Sequence, residues 1–146
     1  MLFLVGLRPL GLLVLRLALG LIFLFHGYPK LFSAPRQTAE MFAKLGFANG
    51  TSYAIGALEV FGGILLVVGF FTRPIALLLA AEMGVAMWKV HLAKGYLAVH
   101  EYEFPLIVGA AALALATCGP GGISLDEILL PSKTPRAAAG KPKPAK

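Results

Sequence analysis

The chain alternates long apolar stretches with short polar connections. Four such stretches cover residues 10–28, 53–71, 75–93 and 104–118. The first three each hold about the 20 residues that a helix needs to cross a hydrocarbon core, and the fourth is shorter. This pattern predicts an all-α fold, a bundle of four transmembrane helices within residues 1–130. Since the connections join sequential helices, neighbouring helices should be antiparallel.

Composition supports the membrane interpretation. Hydrophobic residues make up 58% of the chain and charged residues 14%, with a mean hydropathy of +0.82. Soluble globular domains carry about 25% charged residues. No small-residue cleavage site follows the first apolar run, so we expect this run to be a retained helix rather than a signal peptide. The single cysteine, Cys118, excludes an intrachain disulfide.

The C-terminal residues 131–146 differ from the rest of the chain. They contain mostly Pro, Ala and Lys, a composition that cannot form a packed core and predicts a disordered tail. Their five basic residues account for most of the net charge of +6. A position next to anionic lipid explains these charges more simply than nucleic-acid binding, which we do not expect.

The distribution of basic residues predicts the orientation of the bundle. Four spans place both termini and the turn at Arg73 on one side, which then carries Arg8, Arg73 and the five basic residues of the tail. The opposite side carries five: Lys30, Arg36, Lys44, Lys89 and Lys94. The positive-inside rule therefore favours cytoplasmic termini.

Three charged residues interrupt the apolar runs: Arg16, Glu59 and Glu82. A charge at the bilayer centre costs about 2.5 to 3.5 kcal/mol unless it is paired. Counted along the helices, the three lie about 10, 18 and 13 Å from the cytoplasmic ends of their spans. These similar depths predict a buried pair or triad. Such a cluster either fixes helix register without chemistry or provides a carboxylate on a proton path to a bound quinol.

Glycines share faces with these charges. Arg16, Gly20 and Gly27 lie on one stripe of the first span, and Gly56, Glu59 and Gly63 on one stripe of the second. Small residues let membrane helices approach closely, so both stripes should face the bundle. The complete set of predicted packing glycines is Gly20, Gly27, Gly56, Gly62, Gly63 and Gly69.

A second polar set lies at the opposite, outer ends of the spans. Its members are His26, Lys30, Lys89, His91, Tyr102 and Glu103. Anchoring at the membrane interface explains many of them, with Lys89 extending outward beside Trp88. A headgroup-level pocket for a quinone ring, or a partner interface, is the alternative. Imidazoles and carboxylates can also bind metals, but the spacing matches no metal motif and we predict no metal site.

Motifs of soluble enzymes are absent from the sequence. The chain has no phosphate-binding loop, CxxC motif, nucleophile elbow or haem-attachment signature. We therefore assign no catalytic residue and no cofactor held by a motif. Between the first two spans, Met41, Phe42 and Leu45 follow Pro35 at helical spacing, which predicts a short helix that lies at the interface or covers the bundle mouth. Ser124 is a candidate cap of another short helix.

Several of these pieces occur together in one known family. The segments RLALGLIFLFHGYPKLF, GALEVFGGILLVVGFFTRP, AAEMGVAMWKVHLAKG and YEFPLIVGAAALALATCGPGGISLD resemble the DoxX family of small four-helix membrane proteins. The resemblance covers residues 8–129, excludes the tail, and departs at Gly122, where many relatives carry Arg or another polar residue. It implies a bacterial or archaeal plasma-membrane location. It also implies a link to thiosulfate-oxidising quinone reductases, or to oxidoreductase complexes that handle thiol and oxidative stress.

These observations lead to three hypotheses. The first is a membrane subunit of a quinone-linked redox complex, with quinone as the cofactor and another subunit as electron donor. The second is a non-enzymatic assembly or anchoring module. The third is a small-molecule carrier, although the sequence shows no discontinuous helices. The expected partners are the lipid bilayer and redox-complex subunits, and a homo-oligomer is compatible with the sequence.

Overall fold

The computed structural model describes residues 5–91 and 99–129, which contain six α-helices and no strand. The helices are α1 (Arg8–Tyr28), α2 (Pro35–Lys44), α3 (Thr51–Val68), α4 (Thr72–Ala86), α5 (Val99–Cys118) and α6 (Leu125–Leu129). Two π-helical turns, Pro29–Ser33 and Met87–His91, extend α1 and α4. The all-α prediction is confirmed for these residues. The predicted tail lies outside the described residues.

Two of the helical segments are long and apolar enough to cross a membrane. They are Arg8–Ser33, which joins α1 to its π-helical turn, and Thr51–Val68, which is α3. The apolar part of α5, Tyr102–Cys118, is shorter, and α4 has 15 residues. The four long helices correspond to the four predicted apolar stretches, and a crossing by all four stays a prediction.

The position of Pro105 in α5 differs from the sequence prediction. The sequence predicts that the segment HEYEFP starts this helix, with Pro105 in its first turn. Instead α5 begins at Val99, so Pro105 lies inside the helix and is buried. Glu101 and Glu103 precede Pro105 in the same helix, which places the proline beyond the first turn. At the other boundaries, Gly50 and Gly69 take left-handed conformations at the two ends of α3, where glycine carries no Cβ penalty.

The helices associate as two pairs. α1 packs mainly on α3, and α4 packs mainly on α5. The two pairs meet around a shared apolar core to which all four helices contribute. Its buried members are Leu19, Phe23, Leu66, Ala76, Leu79, Val108, Ala112 and Leu115.

Glycines form the contact between α1 and α3. A Cβ atom on Gly20 would lie 2.7 Å from the carbonyl oxygen of Gly63, and one on Gly63 would lie 2.6 Å from that of Gly20. Further along, a Cβ on Gly27 would lie 2.8 Å from the Cβ of Glu59 and 2.9 Å from the Gly56 carbonyl oxygen. The two backbones therefore touch along this seam, as the glycine stripes predict.

The other two predicted packing glycines contact different elements. A Cβ atom on Gly62 would lie 3.3 Å from Ile75 of α4, and one on Gly69 would lie 2.7 Å from the Cζ atom of Arg16. The short helix α2 lies where the amphipathic pattern predicts it and packs on α3. Its Met41 is exposed, whereas Phe42 is half-buried and contacts the ring of Phe47.

Candidate functional site

An ion pair joins α1 and α3 inside the bundle. The Nζ atom of Lys30 donates a hydrogen bond to Oε2 of Glu59. The Glu59 side chain is 2% exposed and that of Lys30 is 18% exposed, so this is a desolvated pair with one open edge. We call these two residues, together with Glu82, the carboxylate cluster.

Local backbone geometry directs Lys30 toward Glu59. The π-helical turn after α1 closes with a hydrogen bond from the Ala34 amide to the Pro29 carbonyl, 2.9 Å long. This turn continues the helix past its predicted end at residue 28. A Cβ on Gly56 would lie 2.8 Å from the Lys30 Cβ, so the missing side chain makes room for the lysine.

Glu82 completes the cluster from α4. Its carboxyl group interacts electrostatically with both Glu59 and Lys30. The Oε2 atom of Glu82 is buried and has no hydrogen-bond partner among the described residues. The buried Oγ atom of Ser52, about two turns before Glu59 on α3, likewise has none. The cluster therefore combines one ammonium group with two carboxyl groups, and the Oε2 atom of Glu82 can form a further hydrogen bond.

The expected pairing of Arg16 with Glu59 or Glu82 is wrong. Arg16 is buried, but its Nη1 atom donates to the Pro120 carbonyl at 2.8 Å and its Nη2 atom to the Ile123 carbonyl at 2.7 Å. The contact with Gly69 places Arg16 level with the end of α3. Glu59 lies ten residues earlier, about 15 Å along the helix axis. The depth estimate failed because it measured each helix from an assumed membrane boundary.

Arg16 instead holds a segment that we call the C-terminal hook, residues 119–129. Asp126 in this hook accepts hydrogen bonds from the Phe71 amide at 2.8 Å and the Thr72 amide at 2.9 Å. Its own amide donates to the Gly69 carbonyl at 2.8 Å. The carboxylate thereby caps the start of α4, where helix N–H groups lack partners. The hook closes this end of the bundle.

Further hydrogen bonds lie within the hook and just before it, at the end of α5. The Ser124 hydroxyl accepts a hydrogen bond from the Glu127 amide at 3.2 Å, which confirms the predicted cap of a short helix. Arg73 donates through Nη1 to the carbonyls of Ala116 and Thr117, at 2.9 and 2.7 Å, where α5 ends. A cation at a helix C-terminus satisfies carbonyl groups that have no partner within the helix.

One helical turn before Lys30, His26 stacks on Phe104. Their ring centroids are 5.3 Å apart with planes inclined at 23°, and this contact joins α1 to α5. The Nδ1 atom of His26 lies 2.9 Å from the Ile22 carbonyl oxygen. A carbonyl oxygen only accepts, so Nδ1 carries the proton of this bond. In the neutral ring, Nε2 is then the nitrogen with a free lone pair.

The remaining members of the predicted outer set lie in the π-helical turn after α4 and near the start of α5. The Lys89 ammonium lies 5.6 Å from the ring centroid of Trp88, and both side chains are exposed. Tyr102 is half-buried and Glu103 is exposed near the start of α5. The side chain of His91 lies outside the described residues. Within residues 5–91 and 99–129, no group of three or more His, Cys, Asp or Glu side chains could hold a metal ion.

Sequence reasoning missed several residues of this arrangement. Lys30 was assigned to the outer face, although it is the partner of Glu59. The signal was available, because Lys30 lies three residues after Gly27 and so follows the same glycine stripe. Phe104 and Ser52 gave no comparable signal, since an aromatic residue and a serine at helix ends are common.

Comparison with known proteins agrees with the family resemblance described in the sequence analysis. The sequence profile of the DoxX family matches residues 11–92. The chain is similar to the Bacillus subtilis protein named "Putative oxidoreductase CatD", with 31% identity over 85% of this chain and 90% of the relative. Two Escherichia coli relatives are named inner membrane proteins. YphA is 39% identical over 82% of this chain and 90% of its own length. YqjF is 30% identical over 84% of this chain and 95% of its own length. No solved structure matches significantly.

Proposed function

Because this chain belongs to the DoxX family of membrane proteins, we propose that it is a membrane subunit of a quinone-linked redox complex. The observation that carries this proposal is the carboxylate cluster. Lys30, Glu59 and Glu82 occupy the interior of a membrane protein, where ionisable groups mark proton and substrate pathways. The name of the Bacillus subtilis relative supports the redox assignment.

The residues present fit the polar end of a quinone. Each quinone oxygen needs a hydrogen-bond donor, and the Lys30 ammonium has three N–H groups, of which Glu59 takes one. Reduction of a quinone also needs a proton-exchanging group, and Glu82 has a buried oxygen without a partner in the described part of the chain. A bound quinone would supply the two-electron chemistry that no side chain of this protein provides.

Each residue then has a distinct task. Glu59 holds the Lys30 side chain in place, and Lys30 binds and orients an oxygen atom of the quinone. Glu82 holds or receives a proton through its carboxyl group, whose Oε2 atom is buried. His26 exchanges protons through Nε2 between this region and the solvent, while Phe104 fixes the plane of its ring.

The electron donor belongs to another subunit in this proposal. The sequence has no haem-attachment, CxxC or dinucleotide-binding motif, so the chain itself offers no route for electrons to the quinone. We propose a thiosulfate or thiol oxidoreductase, or an enzyme of oxidative stress, as that partner.

The topology follows from the same proposal. All four long helices cross the plasma membrane of a bacterium or archaeon, and both termini are cytoplasmic. Two relatives named inner membrane proteins support the location. Arg8 and Arg73, together with the five basic residues of the tail, support the orientation.

The test is purification of the tagged protein from its native membrane, followed by extraction of quinone and mass spectrometry of co-purified proteins. We expect quinone and an oxidoreductase with the unmodified chain. Glu82→Gln should abolish quinone-dependent turnover of the isolated complex, whereas Glu40→Gln on the exposed face of α2 serves as the matched control. Absence of both quinone and redox partner would refute the proposal.

A non-enzymatic assembly or anchoring module is the second candidate, and one observation favours it. The Lys30–Glu59 pair is satisfied within the chain and lies in the glycine seam, as expected of a contact that fixes helix register. On this interpretation a complex would co-purify without quinone, and Glu82→Gln would change the amount of assembled complex rather than its turnover. Uptake of a small molecule into vesicles would instead indicate the carrier hypothesis.

A further inference from the structure

The C-terminal hook leaves a row of large apolar side chains uncovered. Ile128 is 74% exposed and Leu129 is 57% exposed, and Ile123 and Leu125 are exposed beside them. A soluble surface rarely presents such a continuous apolar edge without a partner. We call these four residues the hook edge.

The position of the hook along α1 shows what surrounds this edge. A Cβ on Gly122 would lie 3.9 Å from Pro9, and one on Gly121 would lie 3.0 Å from Leu12. Arg16 binds the Ile123 carbonyl. The hook thus runs beside α1 from residue 9 to residue 16, about 10 Å of helix axis at the start of the first apolar run.

Several polar groups of the hook pair with other groups of the protein. Asp126 accepts two backbone amides, Ser124 accepts the Glu127 amide, and Arg16 satisfies two hook carbonyls. A non-helical segment can lie at membrane depth only when its backbone groups find partners within the protein. The hook meets this condition in its non-helical part, residues 119–124, through the hydrogen bonds of Arg16 and Ser124.

A cavity of about 440 Å³ adjoins the hook edge. It lies between the end of α3 and the hook, and its walls are mainly apolar. Its lining residues are Arg16, Val68, Ile123, Ser124, Leu125 and Ile128. Its dimensions and apolar walls suit a short length of hydrocarbon chain.

We propose that the hook edge is a lipid-binding surface, immersed at the boundary between headgroups and acyl chains, and that the adjoining cavity accommodates part of a phospholipid acyl chain. The sequence beyond the hook favours lipid over another segment of this chain as the occupant. Residues 130–146 contain five basic and no acidic side chains and only one large apolar residue, Leu130. They suit an anionic lipid surface and cannot cover four apolar side chains.

Depth-dependent fluorescence quenching tests this proposal. Trp88 is the only tryptophan, so Trp88→Phe removes the background emission. In that background, Ile128→Trp is reconstituted into vesicles of phosphatidylcholine and phosphatidylglycerol whose acyl chains carry bromine at a shallow or a deep position. We expect blue-shifted emission and strong quenching, larger for the shallow bromines than for the deep ones.

Two reference variants calibrate the result. Phe61→Trp on the exposed face of α3 reports the hydrocarbon core, and Asn49→Trp in the exposed loop before α3 reports a polar connection. Ile123→Trp provides a second position on the hook edge if Ile128→Trp does not fold. Water-like, unquenched emission would overturn the proposal. So would blue-shifted emission without quenching, because a protein surface would then cover the hook edge.

Discussion

The glycine seam between α1 and α3 allows a sharp prediction for Gly63→Ala. The added Cβ would lie 2.6 Å from the Gly20 carbonyl oxygen and 2.8 Å from the Leu24 amide nitrogen. Ordinary van der Waals contact begins near 3.4 Å, so the methyl group would be about 0.6 to 0.8 Å too close to both. Both neighbours are backbone atoms, so no rotamer change can relieve the contact and the helices must separate.

The expected loss of stability is the difference between two effects. Overpacking in a well-packed interior costs about 1 to 3 kcal/mol. Replacing a helical glycine by alanine gains about 0.5 to 1 kcal/mol. Because the clash involves rigid backbone, we expect a cost near the upper end of that range and a net destabilisation of about 1 to 2 kcal/mol.

Gly84→Ala on α4 is the matched control. No heavy atom lies within 4 Å of a Cβ added at Gly84, so only the helix-propensity gain applies and stability should rise slightly. Both variants are compared with the unmodified protein by far-UV circular dichroism during unfolding in detergent mixtures of increasing sodium dodecyl sulfate content. Equal midpoints for Gly63→Ala and Gly84→Ala would refute the backbone contact along the seam.

Three other predictions follow from the polar contacts. Lys30→Met should destabilise the fold by about 3 to 5 kcal/mol because it leaves Glu59 buried without its partner. The double variant with Glu59→Met should recover most of that loss in the same unfolding assay, and a lack of recovery would contradict the pairing. Arg16→Lys cannot reach both hook carbonyls in the same way, so limited proteolysis should cleave the hook faster than in the unmodified protein. Asp126→Ala removes the cap of α4 and should cost about 1 kcal/mol or more, with faster amide exchange at Phe71 and Thr72 as the measurement and unchanged exchange as the contradicting result.

The sequence alone predicts the helical class and the close-packed face of α1. Both follow from periodicity, since apolar runs show helices and the spacing of Gly20 and Gly27 marks a helix face. The partner of Arg16 could not be predicted in this way. Its acceptors are backbone carbonyls of Pro120 and Ile123, and every residue carries such a group whatever its side chain.

Of the three residues in the carboxylate cluster, the sequence predicts the two carboxyl groups but not the lysine. Charged residues inside apolar runs identify Glu59 and Glu82 directly. Lys30 follows Pro29, which usually ends or interrupts a helix, and so appeared to belong to the loop. The π-helical turn keeps the chain helical through this proline and places the lysine inside the bundle. Local backbone geometry of this kind is not encoded by hydropathy.

The seam between α1 and α3 also determines which helices can move relative to one another. Where backbones touch there are no side chains to reorient, so these two helices must move as one rigid body and carry the Lys30–Glu59 pair unchanged. Glu82 belongs to the other helix pair, which meets the first through apolar side chains that can slide past one another. A shear of one pair against the other therefore changes the distances from Glu82 to Lys30 and to Glu59, while the Lys30–Glu59 pair keeps its geometry. The fold thus makes a single carboxyl group the movable part of an otherwise fixed charge arrangement.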